Sequence, residues 1–137
     1  RVNTLKSTNE KIKKELENAK IEFEKASIFD NAYIIKNVEE KYLQELEIYK
    51  NGDIYLQSLS SMLPPIILNP QEDEDILDMT AAPGGKTTQI AAMTNNNANI
   101  TACEINNIRA ERLRYNIEKQ KCRGMKDDIR WLSENHR

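Results

Sequence analysis

The stretch Asp78-Met79-Thr80-Ala81-Ala82-Pro83-Gly84-Gly85-Lys86-Thr87-Thr88 carries the clearest chemistry in the chain. It stands where a short apolar strand pattern gives way to a helical one, and ligands of open α/β sheets bind at the carboxyl ends of strands. Two adjacent glycines let the backbone approach a ligand with no Cβ in the way. The free N–H groups and the dipole of the following helix favour a negative group there, such as a carboxylate. Nineteen residues after Gly85 comes Glu104, at the end of the next strand pattern. A carboxylate so placed can accept hydrogen bonds from both hydroxyls of a ribose. Glycine loop and acid together are the signature of a nucleoside cofactor.

A second chemistry competes for the same residues. Gly85-Lys86-Thr87 matches the end of a P-loop, which would cradle the phosphates of a nucleotide triphosphate. That motif needs a glycine five residues before Gly85, where this chain has Thr80, and Pro83 stiffens a segment that should wrap phosphates. Other chemistries lack material. Cys103 and Cys122 are far apart with no second pair, so zinc spacings fail and a disulfide framework is not expected. The single histidine, His136, lies next to the C-terminus. Cys103 reads as a small core residue inside a strand. Cys122 sits between Lys121 and Arg123, which would favour its thiolate slightly.

Several elements must position the loop. Ser7 or Thr8 can cap a helix whose apolar residues Ile12, Leu16, Ala19 and Phe23 recur at helical spacing. Val2–Leu5 and Tyr33–Val38 read as strands, and Lys41–Leu46 is ambiguous. Asn51-Gly52, between Ile48-Tyr49 and Ile54-Tyr55-Leu56, predicts a type I′ hairpin. Pro64-Pro65 punctuates the chain, since a proline biases its predecessor away from helix. Then the period changes: strand Asp75–Met79, helix from Thr87 to Met93, an Asn-rich turn, strand Ile100–Glu104, and a helix Asn107–Gln120 with Ile108, Leu113 and Ile117 inward. Two βα units in succession imply a parallel sheet with right-handed crossovers. The expected fold class is α/β: the first two βα units of a Rossmann-like sheet (residues 57–137) after a small α+β subdomain (residues 1–56). The last strand of such a half-sheet has an open edge, available for pairing with another chain.

The string Ala81-Ala82-Pro83-Gly84-Gly85-Lys86-Thr87-Thr88-Gln89-Ile90 resembles the cofactor loop of the Sun/Fmu-type (NOL/NOP/Sun) RNA cytosine-5 methyltransferases. Arg1-Val2-Asn3-Thr4-Leu5-Lys6 is similar to the start of the small domain that precedes the family's catalytic domain. Gly52, Tyr55, Gln57 and Ser60-Ser61-Met62-Leu63-Pro64 resemble its lead-in segment, and Glu104, Arg109, Leu113, Asn116 and Ile117 fit its second strand and helix. The likeness covers roughly residues 1 to 120 and suggests the branch that modifies ribosomal RNA. It implies a class I methyltransferase fold with S-adenosylmethionine as cofactor. The cofactor would be held by Ala81, Ala82, Pro83, Gly84, Gly85, Lys86, Glu104 and Arg109, its methionine end near residues 82–86 and its ribose on Glu104. Lys86 would serve the cofactor carboxylate or the loop. In this family a cysteine thiolate attacks cytosine C6 and makes C5 nucleophilic. The Asp-Ala-Pro-Cys-type and Thr-Cys-Ser-type motifs that carry its cysteines are not in this sequence, so no catalytic residue is assigned. The expectation is a cofactor-binding fragment of an enzyme. A catalytically inactive binding fragment, or a P-loop-like protein, is the alternative. From Cys122 on, the sequence departs from the family's third strand.

Bulk properties bound the rest. Of 137 residues, 39% are hydrophobic and 31% charged, enough for a core in one modest domain or two small subdomains. Lys and Arg total 20 against 22 Asp and Glu, which excludes a broadly basic, histone-like binder but leaves room for a local basic face. That face is expected at the C-terminal end, where Arg109 to Arg137 holds nine basic and five acidic residues, while the first fifty residues balance at ten each. The expected partner is RNA. The chain has no membrane-length apolar run and no secretory pattern, and the sparse cysteines suggest a reducing, cytoplasmic setting. It begins at Arg1 without methionine, which suggests a fragment.

Overall fold

The structure is a computed structural model and describes residues 1–123 and 125–126. Among the described residues eleven short elements follow one another: α1 (Asn9–Asn18), β1 (Phe23–Lys25), β2 (Tyr33–Ile35), α2 (Glu40–Gln44), α3 (Glu47–Lys50), α4 (Leu59–Leu68), β3 (Asp75–Asp78), α5 (Gly85–Met93), β4 (Asn99–Ala102), α6 (Asn107–Lys119) and β5 (Met125–Lys126). β1 and β2 form an antiparallel pair, and β3, β4 and β5 a parallel sheet in that spatial order. Chain order running outward from β3 is one half of a doubly wound sheet. The sheet therefore continues one strand past the two expected βα units. β5 covers the edge of β4 that was expected to stay open. The outer edge of β3 has no strand partner among the described residues.

The small N-terminal lobe is built around Val2, Ile12, Leu16, Ile21, Leu43, Ile48 and Ile54. α1 starts where Thr8 accepts a hydrogen bond from the Lys11 N–H, a standard N-cap. It ends at Asn18, earlier than the apolar spacing predicts. Lys20 takes a positive φ of 55° and Phe23 enters β1, where its ring meets Tyr33 edge-on at 5.6 Å. Val2 makes only an isolated bridge to Ile54, so Val2–Leu5 is not a regular strand.

Asn51-Gly52 is not a hairpin turn. Residues Glu47–Lys50 are helical, and Gly52, with φ of 76°, is the left-handed residue that ends them. The Gly52 N–H donates to Tyr49 O at 3.0 Å and the Asp53 N–H to Ile48 O at 2.9 Å, the paired bonds of a Schellman cap. The same glycine preference serves both structures, and the buried Ile48 decides for the helix. Pro64 and Pro65 also sit inside a helix, α4. Ser58 caps it, Asn69 ends it at φ of 49°, and burial of Met62 and Pro65 outweighs the lost backbone bonds.

In the larger lobe, α6 buries Ala110 and Leu113 and half-buries Ile117, whereas Ile108 is 79% exposed. Ile108 lies five residues before Leu113, more than a third of a helical turn off its face, so it cannot share that seam.

The two lobes are joined by buried amides. Asn3 Nδ2 donates to Gly52 O and to Gln120 O, both at 2.9 Å, and Gln120 Nε2 donates to Ile54 O at 3.2 Å. Asn3 and Gln120 are 1% and 2% exposed. A Cβ on Gly52 would stand 2.4 Å from Lys119 O, a backbone atom with nowhere to move. Gly52→Ala is therefore expected to cost about 2 kcal/mol or more, from the left-handed φ and the collision together. A urea titration should show a lower midpoint with little change in slope; an unaltered midpoint would contradict this account of the seam.

Candidate functional site

β3 and β4 lie side by side in parallel register, Asp78 against Ala102, so both deliver their carboxyl ends to the same edge of the sheet. Backbone pairing runs past the strands: Cys103 N donates to Asp78 O at 2.8 Å and Ala81 N to Cys103 O at 2.9 Å. This brings the loop of residues 80–84 beside Glu104. Ala81, Ala82 and Gly84 are buried, Gly85 is half-buried, and Pro83 and Lys86 are exposed. The Ala82–Pro83 peptide is cis. Gly84 has a φ of 117°, a backbone only glycine adopts readily, and it leads into α5 at Gly85.

Each wall of the loop is tied down by a different element. From α6, Arg109 Nη2 donates to Ala82 O at 2.9 Å and Asn116 Nδ2 to Pro83 O at 2.8 Å. A Cβ on Gly84 would lie 3.2 Å from Leu113 Cδ1, so the helix face Arg109–Leu113–Asn116, spaced i, i+4, i+7, rests directly on the loop. From below, the buried Thr87 hydroxyl donates to Asp78 Oδ2 at 2.6 Å and joins the end of β3 to the first turn of α5. A P-loop would turn that hydroxyl to a magnesium ion, but here the residue is 0% exposed and its hydroxyl already engaged. From the N-terminal lobe, the buried Arg1 donates to Gln57 Oε1 at 2.7 Å and to Thr88 Oγ1 at 2.8 Å, and Thr88 in turn donates to Gly84 O at 2.6 Å. Burial pulls the Arg1 guanidinium down to about 10, which leaves it cationic at neutral pH.

Glu104 is 8% exposed. Its Oε1 accepts from the Asn106 N–H at 3.0 Å, and Asn106 caps α6 by accepting from the Arg109 N–H. Its Oε2 lies 3.5 Å from Arg109 Nη1 and accepts no hydrogen bond. A buried carboxylate oxygen with an open lone pair, held one strand away from a glycine loop, is the geometry that receives a ribose hydroxyl. Arg109 touches both Ala82 O and Glu104, so it binds the two halves of the site to each other.

A cleft of about 290 Å³ runs between the loop and the lead-in segment, walled by Tyr55, Gln57, Ser58, Ser61, Pro83 and Lys86. A cavity of about 490 Å³ among Ile12, Leu16, Val38 and Leu43 includes neither the loop nor Glu104. The structure thus unites Ala81, Ala82, Pro83, Gly84, Gly85, Glu104 and Arg109, with Lys86 at the rim. The sequence names Asn116 without a role, and the Arg1–Gln57–Thr88 chain escapes it because those residues lie 56 and 87 positions from Arg1. Asn116 carried a usable signal: it stands two helical turns from Arg109.

The cysteines do not fit a nucleophile. Cys103 is buried at the end of β4. Cys122 reverses its expectation: burial pushes its thiol up to about 12, outweighing the lowering effect of Arg1, and neither neighbouring cation offsets this. Among the described residues no group of His, Cys, Asp and Glu could hold a metal ion, and no helix is long and apolar enough to cross a membrane. At pH 8 the native Cys122 should react with iodoacetamide at least about a hundredfold more slowly than in denaturant. Mass spectrometry over time checks this, and rapid native labelling would overturn the assignment.

The sequence model of the family described as 16S rRNA methyltransferase RsmB/F matches residues 65–135. That match runs beyond Gln120, through the segment that had seemed to leave the family, in keeping with the third parallel strand. A tRNA (cytosine(49)-C(5))-methyltransferase of Pyrococcus abyssi is 41% identical over 120 residues, 87% of this chain and 38% of its own length. A ribosomal RNA small subunit methyltransferase F of Shewanella sp. (strain ANA-3) is 37% identical over 119 residues, 85% of this chain and 25% of its own length. The chain thus spans well under half of these curated relatives. The crystal structure of a methyltransferase homolog protein from Pyrococcus horikoshii superposes with a TM-score of 0.85 at 30% identity, covering 92% of this chain and 41% of that one.

Proposed function

The chain belongs to the RsmB/F methyltransferase family, and on that premise we propose that it is the cofactor-binding part of an S-adenosylmethionine-dependent RNA cytosine-C5 methyltransferase. The observation that carries this reading is the open Oε2 of buried Glu104 beside the glycine loop. When bound, the cofactor supplies an electrophilic methyl group. This chain's residues bind and orient it. Glu104 accepts from the ribose, Ala81 to Gly85 form the close-packed floor, and the start of α5 with Lys86 meets the carboxylate. Arg109 and Asn116 keep the loop carbonyls turned away from that carboxylate by donating to them.

Residues 1–56 form the RNA-facing lobe in this reading and residues 57–137 the methyltransferase part. Ribosomal RNA is the proposed substrate, supported by the family's description and the Shewanella relatives; the Pyrococcus abyssi relative acts, by its name, on tRNA. The proposed setting is the cytoplasm, supported by two cysteines that form no disulfide.

Calorimetric titration tests the core of the proposal. S-adenosylmethionine or its demethylated product should bind, ATP with magnesium should not, and Glu104→Ala should weaken binding about tenfold to a hundredfold, the loss of a hydrogen-bonded charged group. Tight magnesium-dependent ATP binding would overturn it. The 137-residue chain alone should transfer no labelled methyl to rRNA or tRNA transcripts, because Cys103 is buried and the half-buried Cys122 thiol is pushed up to about 12, so neither supplies a nucleophile.

A further inference from the structure

α6 has a second face. Ile108, Arg112, Tyr115 and Lys119 recur at i, i+4, i+7 and i+11, so they form one stripe along the helix, separate from the Arg109–Leu113–Asn116 face that grips the loop. Ile108 is 79% and Tyr115 62% exposed. The stripe borders a cleft of about 210 Å³ between the lobes, walled by Tyr49, Tyr55, Pro83, Arg112, Asn116 and Lys119 among others. Pro83 belongs to this cleft and to the loop, so the two are continuous.

The cleft combines unpaired positive charge with aromatic faces. Lys119 Nζ lies 3.9 Å from the centre of the Tyr49 ring and 5.7 Å from that of Tyr115. Among the described residues, Arg112, Lys119 and Lys6 make no ion pair with a carboxylate, whereas Arg109 and Arg114 each do. Among the described residues Glu40 is the one carboxylate in the cleft walls. Burial holds the Lys119 ammonium below its ordinary range, and the neighbouring Lys6 crowds a second positive charge beside it and lowers it further. An anion would relieve that crowding, and an exposed ring beside it offers a stacking surface. Phosphate and base alternating along one strand present both.

We propose that single-stranded RNA lies along this stripe, its phosphates neutralised by Arg112 and Lys119 and a base stacked on Tyr115, and passes Pro83 toward the cofactor loop. The proposal rests on the RNA reading above and locates that contact.

Fluorescence anisotropy with a short labelled single-stranded RNA, at about 50 and about 200 mM salt, tests it. Arg112→Gln and Lys119→Gln should each reduce the slope of log affinity against log salt by roughly 0.7, one phosphate contact apiece on a single strand. Tyr115→Ala should weaken RNA binding about tenfold with the slope unchanged, and should leave binding of inorganic polyphosphate as it was, since polyphosphate has no base to stack. Lys13→Gln and Lys14→Gln, exposed on α1, should change neither. The proposal fails if the unmodified chain does not bind the RNA at the lower salt. It fails too if the α6 variants match the α1 controls, or if Tyr115→Ala weakens RNA and polyphosphate alike. Arg112 and Tyr115 are exposed, so their variants remain informative even if Lys119→Gln loosens the seam. S-adenosylmethionine titration of the same proteins separates this inference from the cofactor reading. RNA binding of the expected kind without any cofactor binding would remove the second and leave the first.

Discussion

Two buried side-chain amides set the geometry on which the rest of this molecule depends. Asn3 and Gln120 are almost wholly shielded from water, and between them they satisfy the carbonyls of Gly52, Ile54 and Gln120. Gln120 Oε1 has no partner, so the seam rests on the donated bonds, and losing one would leave a buried amide N–H unpaired at about 1–3 kcal/mol. The seam therefore has one register. It sets the C-terminal end of α6 against the cap of α3, which aims the rest of α6 across the glycine loop. Gly52 is the point where the two backbones come closest, and its missing Cβ is what permits the approach.

From that placement the loop is held by side chains that arrive from separate parts of the chain. α6 supplies Arg109 and Asn116 to consecutive carbonyls, α5 supplies Thr88 to Gly84 O, and the first residue of the chain supports Thr88 from the other lobe. The common result is that loop carbonyls already have donors. At the carboxyl edge of the sheet Glu104 Oε2 accepts no hydrogen bond and the amino end of α5 has no side-chain cap. The site is thus polarised for a ligand with hydroxyls at one end and negative charge at the other, and Arg109 couples the two ends by touching both the loop and Glu104.

Much of this was legible in the sequence where one physical requirement had one structural answer. Gly84 and Gly85 between a strand and a helix, with Glu104 at the next strand end, describe the site before any coordinates. Gly52 shows the opposite case: a left-handed glycine serves a hairpin or a Schellman cap equally well, and only the long-range burial of Ile48 against Val2 and Ile12 selects the cap. Local backbone preference sets Pro64 and Pro65 against helix, yet the burial of Pro65 and of Met62, which packs with Ala26 and Ala32, keeps them helical. The sequence neighbours Lys121 and Arg123 suggest a favoured thiolate at Cys122, while its pKa is set by the burial it gains against the cluster of Ile90, Ala91, Ala98 and Ile100. Each difference arises where contacts distant in sequence outweigh adjacent ones.

The division of labour on α6 follows from the same reasoning. A helix with 3.6 residues per turn that offers Arg109, Leu113 and Asn116 to the loop must present Arg112, Tyr115 and Lys119 some 60° to 120° from Arg109. One face is spent on fixing backbone carbonyls, so its cations and amides are saturated. The adjoining face borders the cleft between the lobes, and its cations have no carboxylate partner among the described residues. Had the seam at Asn3 and Gln120 been displaced by one residue along α6, the helix would turn by about 100°. Arg112 would then point toward the loop, and Arg109 would leave both Ala82 and Glu104. Holding the small lobe against the end of α6 therefore also decides which cations hold the glycine loop and which face the cleft between the lobes.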